Sequence, residues 1–153
     1  MRRVYVAVLG LLFVAIVFQF YLAASGAFDK PQDDDSFALH RINGMAVVTG
    51  LSVLATIVGA LARVGARTVA LTIVPALLVV VQMLIRAIAE AFEASNGDTT
   101  GASVAIFGLH ALNGMAIMLV TVILLRRARK PMVSSGASVP EPAGAAAPDS
   151  AHA

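Results

Sequence analysis

Four long apolar stretches, at roughly residues 4–24, 37–62, 68–91 and 103–125, leave this chain almost nothing else to be. A hydrocarbon core about 30 Å thick is crossed by about 20 residues at a rise of 1.5 Å each, and every stretch is long enough. Backbone polar groups in lipid must be satisfied within the segment, so each stretch is expected to be a helix. With 153 residues in all, 59% of them hydrophobic and 13% charged, no length remains for a soluble catalytic domain. The expected fold is all-α, a four-helix transmembrane bundle running up-down-up-down over residues 1–130.

Charge sets the expected orientation. Eight of the eleven Lys and Arg residues fall on one side: Arg2, Arg3, Arg63, Arg67, Arg126, Arg127, Arg129 and Lys130. Asp29, Asp33, Asp34, Asp35, Glu90, Glu93 and Asp98 fall on the other, so a net charge of only +2 conceals a strong asymmetry. The positive-inside tendency then makes both termini cytoplasmic in a multi-pass plasma-membrane protein. The basic side is read as a topology signal that contacts anionic membrane lipids, with no nucleic acid implied. Arg2 and Arg3 before an apolar run imitate a signal peptide. About twenty apolar residues is long for one, so the first helix is expected to be retained. Residues 131–153, rich in Ala, Pro and Ser and including His152, are expected to form a disordered cytoplasmic tail.

The second constraint is a repetition. Phe37-Ala38-Leu39-His40-Arg41-Ile42-Asn43-Gly44-Met45-Ala46 returns seventy positions later as Phe107-Gly108-Leu109-His110-Ala111-Leu112-Asn113-Gly114-Met115-Ala116, seven of ten residues identical. Val17-Phe18-Gln19-Phe20-Tyr21-Leu22 likewise aligns with Val80-Val81-Gln82-Met83-Leu84-Ile85. Each half thus reads glutamine, loop, His-x-x-Asn-Gly-Met-Ala, with 21 residues from Gln to His in the first half and 28 in the second. Two helix pairs of the same orientation imply parallel repeats related by a pseudo-two-fold axis along the membrane normal. The second and fourth helices then lie diagonally opposite, with His40 and His110 level in the outer half and facing the axis.

Ionisable residues inside a membrane are costly and carry a functional reading by default. His40, Asn43 and Gly44 share one helical face, as do His110, Asn113 and Gly114. The glycines remove side chains beneath the imidazoles, so a flat, bulky object is expected against the backbone there. Two neutral imidazoles from opposite sides suit the axial positions of haem b, which makes His40 and His110 the metal ligands. A lone zinc ion suits them less, since these faces carry no thiolate or carboxylate to complete four ligands. Asn43 and Asn113, or alternatively Gln19 and Gln82, are candidates to accept the second ring N–H of each histidine. Arg41 and Arg86 are candidates to pair with haem propionates, Arg86 having an i, i+4 pair with Glu90 as its alternative. The expected role is electron transfer, haem handling or redox sensing, because filled axial positions leave no site for O₂ activation. A homodimer or docking onto a larger membrane redox complex follows, one haem being unable to carry charge across the bilayer alone.

Two other readings stand beside this one. The polar stripes also serve as packing seams of a cofactor-free accessory or scaffold protein, since Gly admits close approach and polar side chains bond across helices. Alternatively, Gln19, Gln82 and the asparagines bind a quinone or lipid. The absence of cysteine removes disulfides, thiolate metal sites and thiol catalysis. No Ser-His-Asp set, phosphate-binding loop or paired intramembrane carboxylates support hydrolytic or phosphoryl chemistry.

On these motifs the chain, excluding its tail, resembles small uncharacterised four-helix bacterial membrane proteins common in actinobacteria. Through Leu39-His40-Arg41 and Leu109-His110-Ala111-Leu112-Asn113 it also resembles one four-helix half of haem A synthase, whose halves hold haem by histidines on their second and fourth helices. That resemblance implies a haem-holding scaffold. The glutamate that the synthase places one turn before the ligand histidine of a catalytic half is replaced here by Phe37 and Phe107, so haem hydroxylation is not implied.

Overall fold

The computed structural model describes residues 1–129; Lys130, the 131–153 tail and His152 lie outside the described residues. Four long helices occupy nearly all of the described chain: α1 (Arg2–Phe28), α2 (Asp35–Leu61), α3 (Ala66–Ala91) and α4 (Gly101–Arg129). All four are long and apolar enough to cross a membrane, and no strand occurs among the described residues. Each helix runs past its apolar stretch at one end or both. Polar and basic residues prolong the hydrogen-bonded ladder there, as Arg126, Arg127 and Arg129 do in the last turn of α4, where cations oppose the helix dipole.

Only 22–28% of the most apolar window of each helix is buried inside the bundle. Leu11, Val14, Tyr21, Leu61, Leu77, Leu84, Leu112 and Leu119 are all more than half exposed. An apolar surface this continuous is unstable in water and at home in hydrocarbon, which makes this a multi-pass membrane protein.

The loops at the acidic end are closed by matching devices. Asp33 Oδ1 accepts from the backbone N–H groups of Asp35 and Ser36, while Ser36 Oγ accepts from the Asp33 N–H, a capping box that starts α2. Thr100 and Ser103 repeat the exchange at the start of α4, and the Thr100 hydroxyl also donates to the Phe92 carbonyl at 2.6 Å. At the basic end a short turn through Gly65, whose φ of 93° suits a residue without Cβ, reverses the chain between α2 and α3.

Helix α1 packs on α2 and α4, and α3 packs on the same two; the backbones of α1 and α3 do not approach each other closely, nor do those of α2 and α4, and side chains alone meet across these diagonals. The seam of α1 steps through Tyr5, Leu9, Leu12, Ile16, Gln19, Leu22 and Gly26 in strides of three and four, the spacing of helices packed at a shallow angle. Most of the buried apolar side chains lie toward the basic end, where Tyr5, Leu9, Leu12, Ala55 and Leu124 are fully enclosed. Tyr5 hydroxyl shares a 2.8 Å hydrogen bond with Thr72, and Arg2 donates to the Ala128 carbonyl, fastening α1 to α3 and α4. Toward the acidic end the seam turns polar.

Helix α2 is not uniform. It opens with a 3₁₀ turn, passes through α-helix at Ala38–Ile42, widens to π-helix at Asn43–Val48 and returns to α-helix at Thr49–Leu61. Its counterpart α4 is α-helical throughout. The seam-facing residues show what the widening does. Helix α2 presents Asn43, Val48, Ser52, Ala55 and Gly59 where α4 presents Asn113, Ile117, Thr121, Leu124 and Ala128. Ser52 Oγ donates to the Val48 carbonyl as Thr121 Oγ1 donates to that of Ile117, so these positions correspond. One residue more separates Asn43 from Val48 than Asn113 from Ile117, and the π-turn absorbs it without rotating either flank. Deleting Ala46, which is exposed, is therefore expected to convert the stretch to α-helix and leave the thermal midpoint within about 4 °C of the parent, a change of about 1 kcal/mol or less. Thermal unfolding in detergent checks this; a fall of about 10 °C or more would contradict it.

Candidate functional site

The two histidines meet across the diagonal of the bundle. Their ring centres are 6.1 Å apart and the planes are tilted by 40°. Both rings are half-buried. Each is flanked by the phenylalanine three residues earlier: Phe107 lies parallel to His110 with centroids at 5.2 Å, and Phe37 stands edge-on to His40 at 6.4 Å. These aromatic partners occupy the same place in both copies of the motif, a spacing that the sequence displays.

Hydrogen bonds fix the chemistry of the first half. The Gln19 carboxamide donates from Nε2 to the His40 carbonyl at 2.9 Å and accepts at Oε1 from Asn43 Nδ2 at 2.7 Å. Asn43 Nδ2 also donates to the Ala15 carbonyl at 3.0 Å. Because a backbone carbonyl only accepts, both amide orientations are determined. Gln19 Nε2 lies 3.1 Å from His40 Nε2 and can only donate, so that ring nitrogen accepts with its lone pair. The proton then sits on Nδ1, which donates to the Gln19 carbonyl at 3.2 Å. This Nδ1–H tautomer, held by a backbone carbonyl, is the form in which histidine offers Nε2 to a metal.

The second half repeats part of this pattern. Gln82 Nε2 donates to the His110 carbonyl at 3.0 Å, and Asn113 Nδ2 donates to the Leu78 carbonyl at 2.8 Å, matching Gln19 with His40 and Asn43 with Ala15. The rest differs: Gln82 Oε1 and His110 Nδ1 are buried without a hydrogen-bond partner.

Several site expectations need adjusting. The asparagines do not hold the imidazoles; their amides reach across to backbone carbonyls of α1 and α3, because a short side chain one turn below histidine points at the neighbouring helix. The space above the glycines is filled by the chain itself. A Cβ on Gly44 would lie 2.9 Å from Gln19 Nε2, and one on Gly114 would meet Gln82 and Phe20 at 3.6 and 3.7 Å. Arg86 is bonded to Glu90 at 2.6 Å on an exposed face, the i, i+4 alternative. Arg41 is half-buried beside His40. Among the described residues, no group of three or more His, Cys, Asp or Glu side chains is placed to hold a metal ion.

The unequal bonding predicts unequal costs. Asn43→Ala removes two hydrogen bonds from a buried position and is expected to destabilise by about 1–2 kcal/mol; Asn113→Ala removes one, from a half-buried position, and costs less than about 1 kcal/mol. Parallel unfolding of the two variants in one detergent checks the order.

Residues 19–89, which include Gln19, His40 and Gln82 and stop short of His110, match a family of unknown function (DUF6220). No curated protein and no solved structure matches the chain. The chain is thus similar, over that stretch, to an uncharacterised protein family.

Proposed function

We propose that this is an integral membrane haem protein of the b type, in which His40 and His110 would hold the haem between them. The supporting observation is the 6.1 Å between imidazole centres on different helices. Two imidazoles sharing one metal at metal–nitrogen distances of about 2 Å have centres about 6 Å apart, and this pair stands at that separation. The tautomer of His40 agrees, its Nδ1 proton being committed to the Gln19 carbonyl. The bundle on this reading runs up-down-up-down in the plasma membrane with both termini cytoplasmic, its two helix pairs related by a pseudo-two-fold axis, and the histidines in the outer half.

Haem when bound supplies a one-electron couple. The chain's own residues orient the ligands, through the Gln19 carbonyl and the flanking Phe37 and Phe107, and keep water from the site with four apolar helices. With both histidines committed to holding the haem, electron transfer or redox sensing would be the role. Redox partners such as a quinone or a larger membrane complex, and a second copy of this chain, are the natural recipients.

One observation favours a second reading, a cofactor-free scaffold: Gln19 already engages both ring nitrogens of His40 and fills the space at Gly44. Titrating haemin into the detergent-purified protein separates the two. The haem reading expects a Soret band that saturates at one equivalent per chain; a titration showing only the spectrum of haemin in detergent supports the scaffold.

A further inference from the structure

Resting on the haem reading, we infer that the Gln19 carboxamide is a gate on the His40 side of the site: in the empty protein it holds the Nε2 lone pair that the metal needs, and it must swing aside for ligation. The halves differ at this point. Gln19 Nε2 lies within hydrogen-bond distance of His40 Nε2, at 3.1 Å, whereas Gln82 Nε2 bonds only the backbone carbonyl of His110. The Gln19 amide is held in that place by its bonds to the His40 carbonyl and Asn43, and by contact with Gly44 so close that any Cβ there would meet it. Gln82 has no matching bond at Oε1.

Two functions of Gln19 are therefore separable. Its backbone carbonyl orients His40 by accepting from Nδ1, and this survives any side-chain substitution. Its side chain competes with the metal for Nε2. Truncating the side chain leaves the histidine oriented and releases the lone pair, and Asn43 keeps its bond to the Ala15 carbonyl. Gln19 is on this account a positioning residue through its main chain and a barrier through its amide.

The test is haemin uptake by the full-length protein in detergent, followed at the Soret band for the parent, Gln19→Ala and Gln82→Ala. Releasing one hydrogen bond of ordinary strength is expected to make uptake by Gln19→Ala about three- to tenfold faster or tighter, with Gln82→Ala within about twofold of the parent. Slower or weaker uptake by Gln19→Ala makes the amide a holder and overturns the gate while leaving the haem reading intact. Equal acceleration by Gln82→Ala overturns it as well, by pointing to general loosening. Failure of the parent to take up haemin removes the haem reading and the gate together. Histidine ¹⁵N NMR of the haem-free parent, which needs no variant to fold, is the second measurement. It should show His40 protonated at Nδ1 with a hydrogen-bonded Nε2; protonation at Nε2 overturns the gate.

Discussion

Replacing Gly26 by alanine is expected to destabilise the acidic end of the bundle more than adding a methyl to any other glycine of the described helices. A Cβ at this position would lie 2.5 Å from the Ser36 carbonyl oxygen and 2.8 Å from Cδ1 of Phe37. Neither is the tip of a flexible side chain. Ser36 is tied down by its capping exchange with Asp33 and by donating to Asp29 Oδ2 at 2.9 Å, so the turn cannot retreat without losing hydrogen bonds. The expected cost is about 1–3 kcal/mol, read as a lowered thermal midpoint in detergent. Gly10, Gly50 and Gly108 provide the controls. A Cβ at each meets nothing within 4 Å, so alanine there is expected to be neutral or to stabilise by up to about 1 kcal/mol through helix propensity. Phe37 stands against His40, so a displaced turn also disturbs the site. A Gly26→Ala protein as stable as the Gly50→Ala control would show that the turn is not packed as described.

The second large effect concerns the histidines. Removing a group that merely orients a metal ligand costs about 10–100-fold in affinity, so removing a ligand itself is expected to cost more than about 100-fold. On the proposed haem reading, His40→Ala and His110→Ala should each purify without haem while eluting as the parent does, because both rings are only half-buried and the interhelical bonds of Asn43 and Asn113 remain. Their stabilities should differ. His40→Ala gives up the bonds between its ring and Gln19, whereas His110 has no ring hydrogen bond to lose at Nδ1. A thermal scan of the haem-free variants should therefore find His40→Ala the weaker of the two; the reverse order would contradict the bonding pattern.

Much of the architecture is legible in hydropathy alone, because lipid leaves a chain few alternatives: four apolar stretches become four helices, and the repetition of Phe37–Ala46 as Phe107–Ala116, seven of ten residues identical, singles out the histidines. What stays hidden is direction. That Gly44 receives the Gln19 amide depends on which way one side chain turns at a helix crossing, and residue type does not encode this. The same holds for the asparagine amides, equally able to face an imidazole or a carbonyl. The π-turn is an intermediate case. His40 and His110 are offset by 70 positions, but Ser52 and Thr121 by 69, so the extra residue is visible once the small polar residues are aligned together with the motif. Arg86 is ambiguous in the sequence for a physical reason: an arginine two turns from a helix end can reach toward a ligand or back to its own helix, and here it bonds the glutamate at i+4.

A reduced-minus-oxidised visible spectrum of the detergent-purified protein, produced with ample haem supply, decides whether His40 and His110 hold a haem. A single, unsplit α band with an intense Soret peak, absent from His40→Ala and from His110→Ala, is the predicted result. A colourless protein that also takes up no added haemin would contradict it.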